Sequence, residues 1–501
     1  MTVVFLEDGK LALQLAYKDK RLAQDIGAKW DKRKKCWKLS DNVDLDHLKC
    51  LFTPEAAEYY QQQKRKRSAL INLDVPVRYG DGLSDYQQKA VGFLATARRA
   101  ILADDPGLGK TPTAIRAVME VGAQHPLVVT KKTLIHNWEV EIKKWARDYG
   151  AWTVTNYEQL EKVLKPFDVL IVDEAQAIKN RKTKRAKLIH KLSRKCEYVW
   201  LLTGTPIVNG PEDLWSLLHT VDPEYFSSFW RFIEKHCETY HNYFGHLEIG
   251  SIKDDKAFAR ELAPYVLRRT KELLHLPPIS FETIYVDLHL DQACIYRQLR
   301  HELIAWLDEH EEEYITATNT LALLTRLRQV TCSPALFGGR DVSTKTDTLL
   351  ELLETYTPNH KVLVFTTFAE YINLLEPKLK PFRPVVITGS ISYKQRDEAV
   401  DTFNNNPDCR VMLGTTGAMG EGLNLQAADV VIFLNHDWTP AANEQAYSRA
   451  YRRGQEKPVH VINLVASGTV DEHVIELLET KKQKISKMEL IKKLREDLKR
   501  R

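Results

Sequence analysis

Short apolar runs alternate with helical patterns in two separate stretches of the chain, and this alternation limits the possible folds more than any other feature. The first series lies between residues 75 and 279, and the second between residues 362 and 464. Strands separated by helices form parallel sheets whose faces those helices cover. The runs are residues 100–102, 127–129, 169–172, 199–202, 362–365, 385–388, 411–413, 430–434 and 459–464. The sequence therefore predicts an α/β protein with two parallel-sheet domains in tandem.

The length of the chain calls for further parts. A chain of 501 residues is too long for one hydrophobic core, so separate domains are expected. Residues 267–340, between the two series, are mostly helical in pattern and rich in charge. The predicted plan is a small α/β module with a basic linker at 1–70, a first domain with a helical insertion at 71–285, a second domain at 286–480, and a basic amphipathic helix at 481–501.

Composition excludes several classes of protein. The content of 44% hydrophobic and 28% charged residues is that of a globular protein, and no apolar run approaches the ~20 residues of a membrane span. The N-terminus lacks the charged-then-apolar pattern of a secretion signal. The seven cysteines show no C-x-x-C and no Cys/His spacing, so we expect neither a disulfide framework nor a structural zinc. We therefore expect a cytoplasmic protein, or a nuclear one in a eukaryotic cell, without membrane contact.

A glycine-containing loop joins the first apolar run to a helical pattern. Backbone N–H groups of such a loop, and the dipole of the helix after it, favour a bound phosphate. Lys110 would reach the β- and γ-phosphates, and the Thr111 hydroxyl would ligate Mg²⁺. The pattern G-x-x-x-x-G-K-[ST] fails at its first position, which is Asp104, so a plain surface turn stays open as an alternative. The loop residues are Asp105, Gly107, Leu108, Gly109, Lys110 and Thr111.

Two adjacent carboxylates follow the apolar run at residues 169–172. The C-terminal edge of an open parallel sheet is where ligands bind. Asp173 would hold Mg²⁺, and Glu174 would orient and deprotonate the attacking water, two tasks that phosphoryl transfer needs near the γ-phosphate. An acidic helix cap is the common alternative, and the phosphate loop upstream argues against it. The hydroxyl residues after the next run, Thr203 and Thr205, can couple the nucleotide state to the rest of the cleft, and an ordinary turn is the alternative for this stretch on its own.

An arginine pair stands near the end of the second series. Arg449 and Arg452 have i, i+3 spacing, which predicts that they share one face of a helix. Two guanidinium groups pointing the same way suit a phosphate held by the other domain, where an arginine finger stabilises the transition state. A surface arginine pair is an equal alternative for this motif alone.

Basic residues cluster at residues 32–35, 64–67 and 481–501, which favours a polyanionic partner although the formal net charge is only +5. Composition alone favours two core tryptophans beside a solvated turn at the first cluster. The alternative is a nucleic-acid-binding face of aromatic and basic side chains. The residues of that face would be Trp30, Lys32, Arg33, Lys34, Lys35 and Trp37.

Taken together, these motifs resemble the superfamily-two helicase motor, and specifically the Swi/Snf family of double-stranded DNA translocases. The likeness runs from residue 75 to about residue 479 in the family's order. Residues 104–111 resemble D-E-x-G-L-G-K-T, residues 173–176 resemble D-E-x-H/Q, residues 202–206 resemble L-T-G-T-P, and residues 445–455 resemble Q-x-x-x-R-x-x-R-x-G-Q. Further likenesses are L-x-x-Y-Q at residues 83–87, L-R-R-T-K at residues 267–271 and S-T-x-A-G-G-x-G-I-N-L at residues 415–425.

The resemblance implies a monomeric motor that binds ATP and Mg²⁺ between two RecA-like domains, with duplex DNA across both. The implied catalytic residues are Lys110, Asp173, Glu174, Gln176, Arg449 and Arg452. The implied nucleotide contacts are Tyr86, Gln87, residues 105 and 107–111, Gly422 and Asn424, with Thr111 and Asp173 as metal ligands and Thr415 and Thr416 on DNA. Pro106 and Met419 depart from the family motifs without removing a catalytic group, so we expect an active ATPase.

The N-terminal segment at residues 13–48 resembles the HARP-type module of annealing helicases, which implies a preference for forked DNA. Two rival functions stay open. A strand-separating helicase is opposed by the Swi/Snf-like blocks at residues 267–271 and 445–455. A nucleotide-gated scaffold with a decayed ATPase is opposed by the intact residues Lys110, Asp173, Glu174 and Arg452.

Overall fold

The computed structural model describes residues 2–8, 10–15, 23, 26, 28–39, 45–62, 76–163, 165–207, 210–241, 247–309, 317–420 and 422–480. The chain divides into two compact units, Met1–Thr270 and Lys271–Arg501. The predicted C-terminal basic helix lies outside the described residues, as does most of the predicted basic linker. Among the described helices, none has the length and apolar character needed to cross a membrane.

A four-stranded antiparallel sheet begins the first unit. Its strands are β1 (Val3–Glu7), β2 (Lys10–Gln14), β3 (Lys29–Asp31) and β4 (Cys36–Lys38), in spatial order β1-β2-β4-β3. The alternating apolar residues at positions 11, 13, 15 and 17 predict β2, and the run at residues 35–39 predicts β4, whereas the sequence analysis predicts neither β1 nor β3. A 3₁₀ helix at Asp46–Leu51 and a helix at residues 54–62 follow the sheet. Leu22, Ala23 and Ile26 predict a helix that ends at Gly27, and this segment lies largely outside the described residues.

A six-stranded parallel sheet forms the centre of the first unit. Its strands are β5 (Arg99–Leu102), β6 (Pro126–Thr130), β7 (Thr153–Asn156), β8 (Val169–Asp173), β9 (Tyr198–Leu202) and β12 (Val266–Leu267). A separate hairpin of β10 (Cys237–His241) and β11 (Leu247–Ile252) lies between β9 and β12 in the sequence. The spatial order is β12-β5-β9-β8-β6-β7. The helices are α1 (Asp85–Ala97), α2 (Lys110–Glu120), α3 (Ile135–Trp145), α4 (Lys184–Ser193), α5 (Glu212–Val221), α6 (Phe229–His236) and α7 (Asp255–Leu262).

Alternate residues of each central strand enter two different hydrophobic cores. In β8, Leu170 and Val172 pack in one core, while Val169 and Ile171 pack in the other. Successive side chains of a strand point to opposite faces of the sheet, so a strand covered on both faces needs apolar residues at every position. The continuous apolar runs of the sequence are the result of this double burial.

A second parallel sheet of six strands forms the centre of the second unit. Its strands are β13 (Ile279–Val286), β14 (Val362–Thr366), β15 (Val385–Ile387), β16 (Val411–Thr415), β17 (Val430–Phe433) and β18 (Val459–Ala466). The spatial order is β13-β18-β17-β14-β16-β15. The helices are α8 (Leu290–Glu309), α9 (Ala317–Cys332), α10 (Thr344–Tyr356), α11 (Ala369–Leu379), α12 (Tyr393–Asn405), α13 (Thr416–Met419), α14 (Pro440–Tyr447) and α15 (Val470–Thr480). Two parallel-sheet domains with helices therefore confirm the predicted fold class.

Each of the nine predicted apolar runs coincides with a strand, although residues 388 and 434 lie one position beyond theirs. The mostly helical pattern predicted for residues 267–340 is wrong at one place. The strand β13 lies there and pairs in parallel with β18 along its whole length. It is an edge strand in which four of the eight residues are exposed, so its apolar residues do not form a continuous run. The predicted division at residues 285 and 286 falls inside this strand. Short 3₁₀ helices complete the structure at Lys132–Leu134, Leu160–Lys162, Ala175–Ile178, Lys271–Leu274, Pro334–Phe337 and Lys380–Phe382.

Candidate active site

The loop at residues 103–109 begins where the buried strand β5 ends and leads directly into α2. Gly107 and Gly109 have φ angles of 93° and 77°, in the left-handed region that glycine adopts without strain. A Cβ atom on Gly109 would lie 2.3 Å from Nε2 of Gln87, so a side chain there would collide with a neighbour. No side chain caps α2, a helix that the structure describes in full, and its electropositive end therefore favours an anion.

Lys110, the first residue of α2, folds its side chain back onto the loop. Its ammonium Nζ lies 2.6 Å from the carbonyl oxygen of Asp104 and 3.4 Å from that of Asp105. Thr111 follows on the same turn and is half-buried. Leu108 is fully buried, so its predicted contact with a nucleotide stays a prediction. The loop thus combines a cation, a hydroxyl and backbone N–H groups within one turn of chain, as the sequence predicts.

Two residues of α1 hold the loop in this shape. The side-chain amide of Gln87 donates to the carbonyl oxygens of Leu108 and Gly109 at 3.3 and 3.4 Å, and its Oε1 accepts from the backbone N–H of Ser84 at 3.0 Å. The phenol of Tyr86 donates to the same Leu108 carbonyl at 3.2 Å. Gln87 is only 2% exposed, so its amide serves the loop itself. Direct contact of either residue with a nucleotide stays a prediction.

Asp173 ends β8 and is held by two buried donors. Its Oδ2 accepts from the Trp138 indole N–H at 2.8 Å and from the Thr130 hydroxyl at 3.0 Å. Burial, and next the negative charge of Glu174, raise the pKa of the Asp173 carboxyl to about 6, against an ordinary value of 3.8. The sequence predicts Asp173 as a metal ligand but gives no sign of its two donors, because they come from β6 and α3.

Glu174 stands at the turn after β8 in a left-handed conformation, with φ of 50°. Its carboxylate accepts a hydrogen bond from the Gln176 amide, whose Oε1 in turn accepts from the Thr203 hydroxyl at 2.7 Å. The same Thr203 oxygen accepts from the backbone N–H of Thr205 at 3.0 Å. This chain of hydrogen bonds links the carboxylate to the polar turn after β9, and the coupling to the nucleotide state that the sequence suggests for that turn stays a prediction.

Asp104, at the non-glycine position of the loop, is paired with an arginine. Its carboxylate forms a bidentate ion pair with Arg269, with one Nε–Oδ1 distance of 2.9 Å, and the two side chains are 1% and 10% exposed. The same guanidinium donates to the carbonyl oxygen of Tyr86 and lies 5.1 Å from the centre of its ring. Sequence reasoning singles out the block at residues 267–271 but does not predict this pairing, which spans 165 positions.

The arginine pair of the second unit lies beyond the end of α14, so the prediction that Arg449 and Arg452 share a helix face is wrong. The helix ends at Tyr447, and both arginines lie in the turns after it. Arg449 donates through Nε and Nη2 to the carbonyl oxygen of Gly420 at 2.9 and 2.6 Å. Arg452 donates to the carbonyl oxygen of Leu423 at 3.2 Å. Both guanidinium groups thus hold one loop.

That loop, described at residues 420 and 422–425, contains two predicted nucleotide contacts. Gly422 has a φ angle of 71°, and the carbonyl oxygen of Asn424 accepts from the side chain of Asn404 at 2.9 Å. Gln455 is 7% exposed and donates to the backbone oxygens of Gln426 and Ala428 at 3.1 and 2.8 Å. The motif residues of this unit therefore form one connected cluster, and their contact with ATP stays a prediction.

The two threonines predicted to contact DNA are engaged at the start of α13. The Thr415 hydroxyl accepts from the backbone N–H of Ala418 at 3.1 Å, as a helix cap does. Thr416 is 5% exposed and donates to the carbonyl oxygen of Thr366 at 3.3 Å. Both hydroxyls therefore have structural partners in the second unit, and their role on DNA stays a prediction.

The first basic cluster forms the turn between β3 and β4. All four of its basic residues are exposed, but the Lys34 ammonium is paired with Glu7, at 2.7 Å, and with Asp8. The rings of Trp30 and Trp37 lie 5.4 Å apart, and 47% of Trp30 is exposed. The structure thus brings the predicted aromatic and basic residues together on one small sheet. The ion pairs of Lys34 with Glu7 and Asp8 also neutralise one of the four predicted cations.

Comparison with known families covers most of the chain. The model of the SNF2-related domain matches residues 86–159 and 152–336, and that of the helicase conserved C-terminal domain matches residues 344–454. Residues 10–50 match a domain of unknown function (DUF5710). The match therefore leaves the predicted HARP-type likeness of the N-terminal module unconfirmed.

Similar proteins come from both eukaryotes and bacteria. Over 492 residues the chain is 30% identical to the SWI/SNF-related matrix-associated actin-dependent regulator of chromatin subfamily A member 1 of Mus musculus, covering 85% of this chain and 45% of that protein. It is 31% identical over 476 residues to the putative ATP-dependent helicase/translocase YwqA of Bacillus subtilis, covering 83% and 50%. A solved SWI2/SNF2 ATPase core of Sulfolobus solfataricus in complex with dsDNA is 28% identical, covering 82% and 93%, with a TM-score of 0.39. The chain spans about half the length of these curated relatives.

Proposed function

Because the chain belongs to the SNF2-related family of helicase-like ATPases, we propose that it is an ATP-driven translocase on double-stranded DNA. One observation carries the chemical part of this proposal. The phosphate loop follows β5, the carboxylate pair stands at the end of β8, and both strands adjoin β9 in the sheet. Ligands of open parallel sheets bind at this C-terminal edge. There the Lys110 cation and the two carboxylates would act on the phosphates of one nucleotide.

Each group of this edge has a distinct task in ATP hydrolysis. The loop N–H groups and Lys110 bind the β- and γ-phosphates, and Glu174 accepts the proton of the attacking water. Gln176 holds the Glu174 carboxylate by a hydrogen bond and so orients it towards that water. The oxygens of Thr111 and Asp173 are ligands of the type that Mg²⁺ prefers. When bound there, Mg²⁺ neutralises charge on the phosphates.

The arginines of the second unit complete the proposed site. Arg452, with Arg449 beside it, would approach the γ-phosphate when the two domains close on ATP, and hydrolysis with product release would reopen them. In this structure the pair holds its loop through the backbone oxygens of Gly420 and Leu423. A change in those contacts would then accompany each cycle of closure.

The proposed polymer is duplex DNA, held mainly through its phosphates. The chain's resemblance to the Swi/Snf family of double-stranded DNA translocases supports DNA as the track, and the name of the Bacillus relative, a putative ATP-dependent helicase/translocase, supports movement along a nucleic acid. Contacts with phosphates carry no sequence information and release counterions, so binding should be independent of sequence and weaken as salt rises. Remodelling of forks, annealing of strands and displacement of bound proteins are the outputs that such tracking would produce.

We further propose that the N-terminal sheet directs the motor to forked DNA. Its exposed Trp30 offers a ring for an unpaired base, and the turn beside it carries three basic residues besides the paired Lys34. A fork supplies both unpaired bases and a dense phosphate charge. Deleting residues 1–70 should therefore lower the stimulation of ATP hydrolysis by forks more than that by plain duplex. Equal loss on both substrates would contradict this role.

The experiment for the main proposal is steady-state ATP hydrolysis with no nucleic acid, single-stranded DNA, duplex DNA, a fork, and duplex RNA, each at low and moderate salt. Duplex or forked DNA should stimulate turnover strongly, and duplex RNA only weakly. The Lys110→Ala protein is the control for contaminating ATPases. Stimulation by single strands or RNA alone would favour a strand-separating helicase, and no turnover at all would favour a nucleotide-gated scaffold.

A further inference from the structure

The segment at residues 266–271, which we name the strut, is bonded to the phosphate loop along its backbone. Its first two residues form β12, which pairs in parallel with the end of β5. The ladder continues past the strand, because the N–H of Ala103 donates to the Leu267 oxygen at 2.7 Å and that of Asp105 donates to the Arg269 oxygen at 3.0 Å. The strut therefore follows the phosphate loop as an added strand, up to the residue before Pro106.

The side chain of Arg269 makes a second attachment to the same loop. Its ion pair with Asp104 is bidentate and almost fully buried, and its guanidinium also holds the backbone and ring of Tyr86. Bidentate arginine–carboxylate pairs fix both distance and direction. A shift of the phosphate loop must therefore move Arg269 with it, or break a buried ion pair, which is strongly unfavourable.

Two positions later, Lys271 is attached to the arginine motif of the second unit. Its ammonium donates to the hydroxyl of Ser448 and lies 5.4 and 5.7 Å from the ring centres of Tyr447 and Tyr451. Ser448 is 2% exposed, and its hydroxyl donates to the Glu444 carbonyl oxygen at 2.5 Å. It directly precedes Arg449. The Lys271 side chain thus binds the turn that contains both arginines.

We propose that the strut transmits movement of the phosphate loop to the arginine turn, which makes Arg269 and Lys271 positioning residues for ATP hydrolysis. One residue, Thr270, separates the two attachments, so their Cα atoms are at most about 7 Å apart in any state. So short a tether passes on displacements of a few ångströms, whereas a flexible linker would absorb them. This inference rests on the proposed ATPase function and adds the element that joins its two halves.

The first test compares variants of the strut by ATP hydrolysis at saturating duplex DNA. Lys271→Met keeps the apolar stem and removes the ammonium, and Lys271→Arg restores a cation. A mutation along a coupling network weakens the coupling without removing a catalytic group, so we expect Lys271→Met to lower kcat roughly tenfold, with KM for ATP changed less than about twofold. The arginine variant should recover most of the loss. A matched control is Lys378→Met, which breaks the 2.8 Å ion pair with Asp341 elsewhere in the same unit and should leave kcat unchanged.

A second variant tests the tether itself and leaves every side chain in place. Two glycines inserted after Thr270 lengthen the strut by up to about 7 Å while both attachments remain possible. Turnover should fall as it does in Lys271→Met, with ATP affinity and the melting temperature retained. Normal turnover with the lengthened strut would overturn the inference.

The decisive readout is additivity. If Lys271 acts through the arginine turn, then Lys271→Met combined with Arg452→Ala should hydrolyse ATP no more slowly than Arg452→Ala alone. If the losses of turnover in the two single variants multiply in the double variant, the coupling is overturned. The proposed function would still stand in that case, provided that the wild-type enzyme is active and the Arg452 variant is impaired. A wild-type enzyme that DNA does not stimulate would instead overturn the proposed function, and the strut inference with it.

Discussion

Asp173 stands at the centre of the proposed chemistry in a place that disfavours its charge. It is 9% exposed, next to Glu174, and burial together with that neighbour raises the pKa of its carboxyl to about 6. A carboxyl whose pKa is higher in the folded than in the unfolded chain binds protons better when folded, so ionisation lowers stability as pH rises. Replacing Asp173 by Asn, which stays neutral, should therefore stabilise the protein while abolishing ATP turnover.

The size of the gain follows from the two pKa values. Against an ordinary value of 3.8, a folded-state pKa of about 6 corresponds to about 3 kcal/mol once both states are ionised. The gain should be small near pH 4, rise between pH 4 and 6, and be complete by about pH 7.5. The amide oxygen of Asn can still accept from Trp138 and Thr130, so neither buried donor loses its partner.

Urea unfolding without divalent cations, followed by tryptophan fluorescence, measures this difference. Eight of the ten tryptophans lie in the first unit, so the signal reports on the unit that holds Asp173. Asp148→Asn, at an exposed aspartate of the same unit, is the control and should change the free energy of unfolding by less than about 0.5 kcal/mol. A variant no more stable than wild type at pH 7.5, or a difference that does not vary with pH, would refute the reasoning.

Three further substitutions test single contacts. Lys110→Ala should reduce turnover to background in the ATPase assay, while retaining duplex affinity in a filter-binding assay, because it removes only the phosphate cation. Gly109→Ala should weaken ATP binding at least tenfold by equilibrium dialysis, since its Cβ would collide with the Gln87 amide and its φ is positive. Arg452→Ala should lower kcat at least 100-fold with KM for ATP nearly unchanged, as expected for a contact made only in the transition state.

The sequence predicts well those features that depend on neighbours along the chain. The strands β5 and β8 can be predicted from the sequence because burial on both faces requires unbroken apolar runs. The polar motifs follow where these runs end. The edge strand β13 could not be predicted, because polar residues at its exposed positions interrupt the apolar pattern. The end of α14 is equally hidden, since no Gly or Pro marks residues 448–453 and the chain turns there to bring Arg449 to the Gly420 carbonyl.

Features that depend on distant residues could not be predicted from local pattern. Asp173 is recognisable from its place after β8, but its donors Trp138 and Thr130 become neighbours only when β6 and β8 pair. The pairing of Asp104 with Arg269 likewise requires β12 to lie beside β5. The replacement of glycine by Asp104 departs from the strict phosphate-loop pattern in the sequence. In the fold, it supplies the carboxylate that joins the loop to the strut.

The central claim, that ATP hydrolysis drives movement along duplex DNA, is tested most directly by displacement of a triplex-forming strand. A fluorescent third strand is bound at one end of a duplex, and its release is followed after the addition of ATP. The account predicts ATP-dependent release by the wild-type protein, none by Glu174→Gln, and no separation of the underlying duplex. Duplex-stimulated hydrolysis that leaves the third strand in place would contradict the claim.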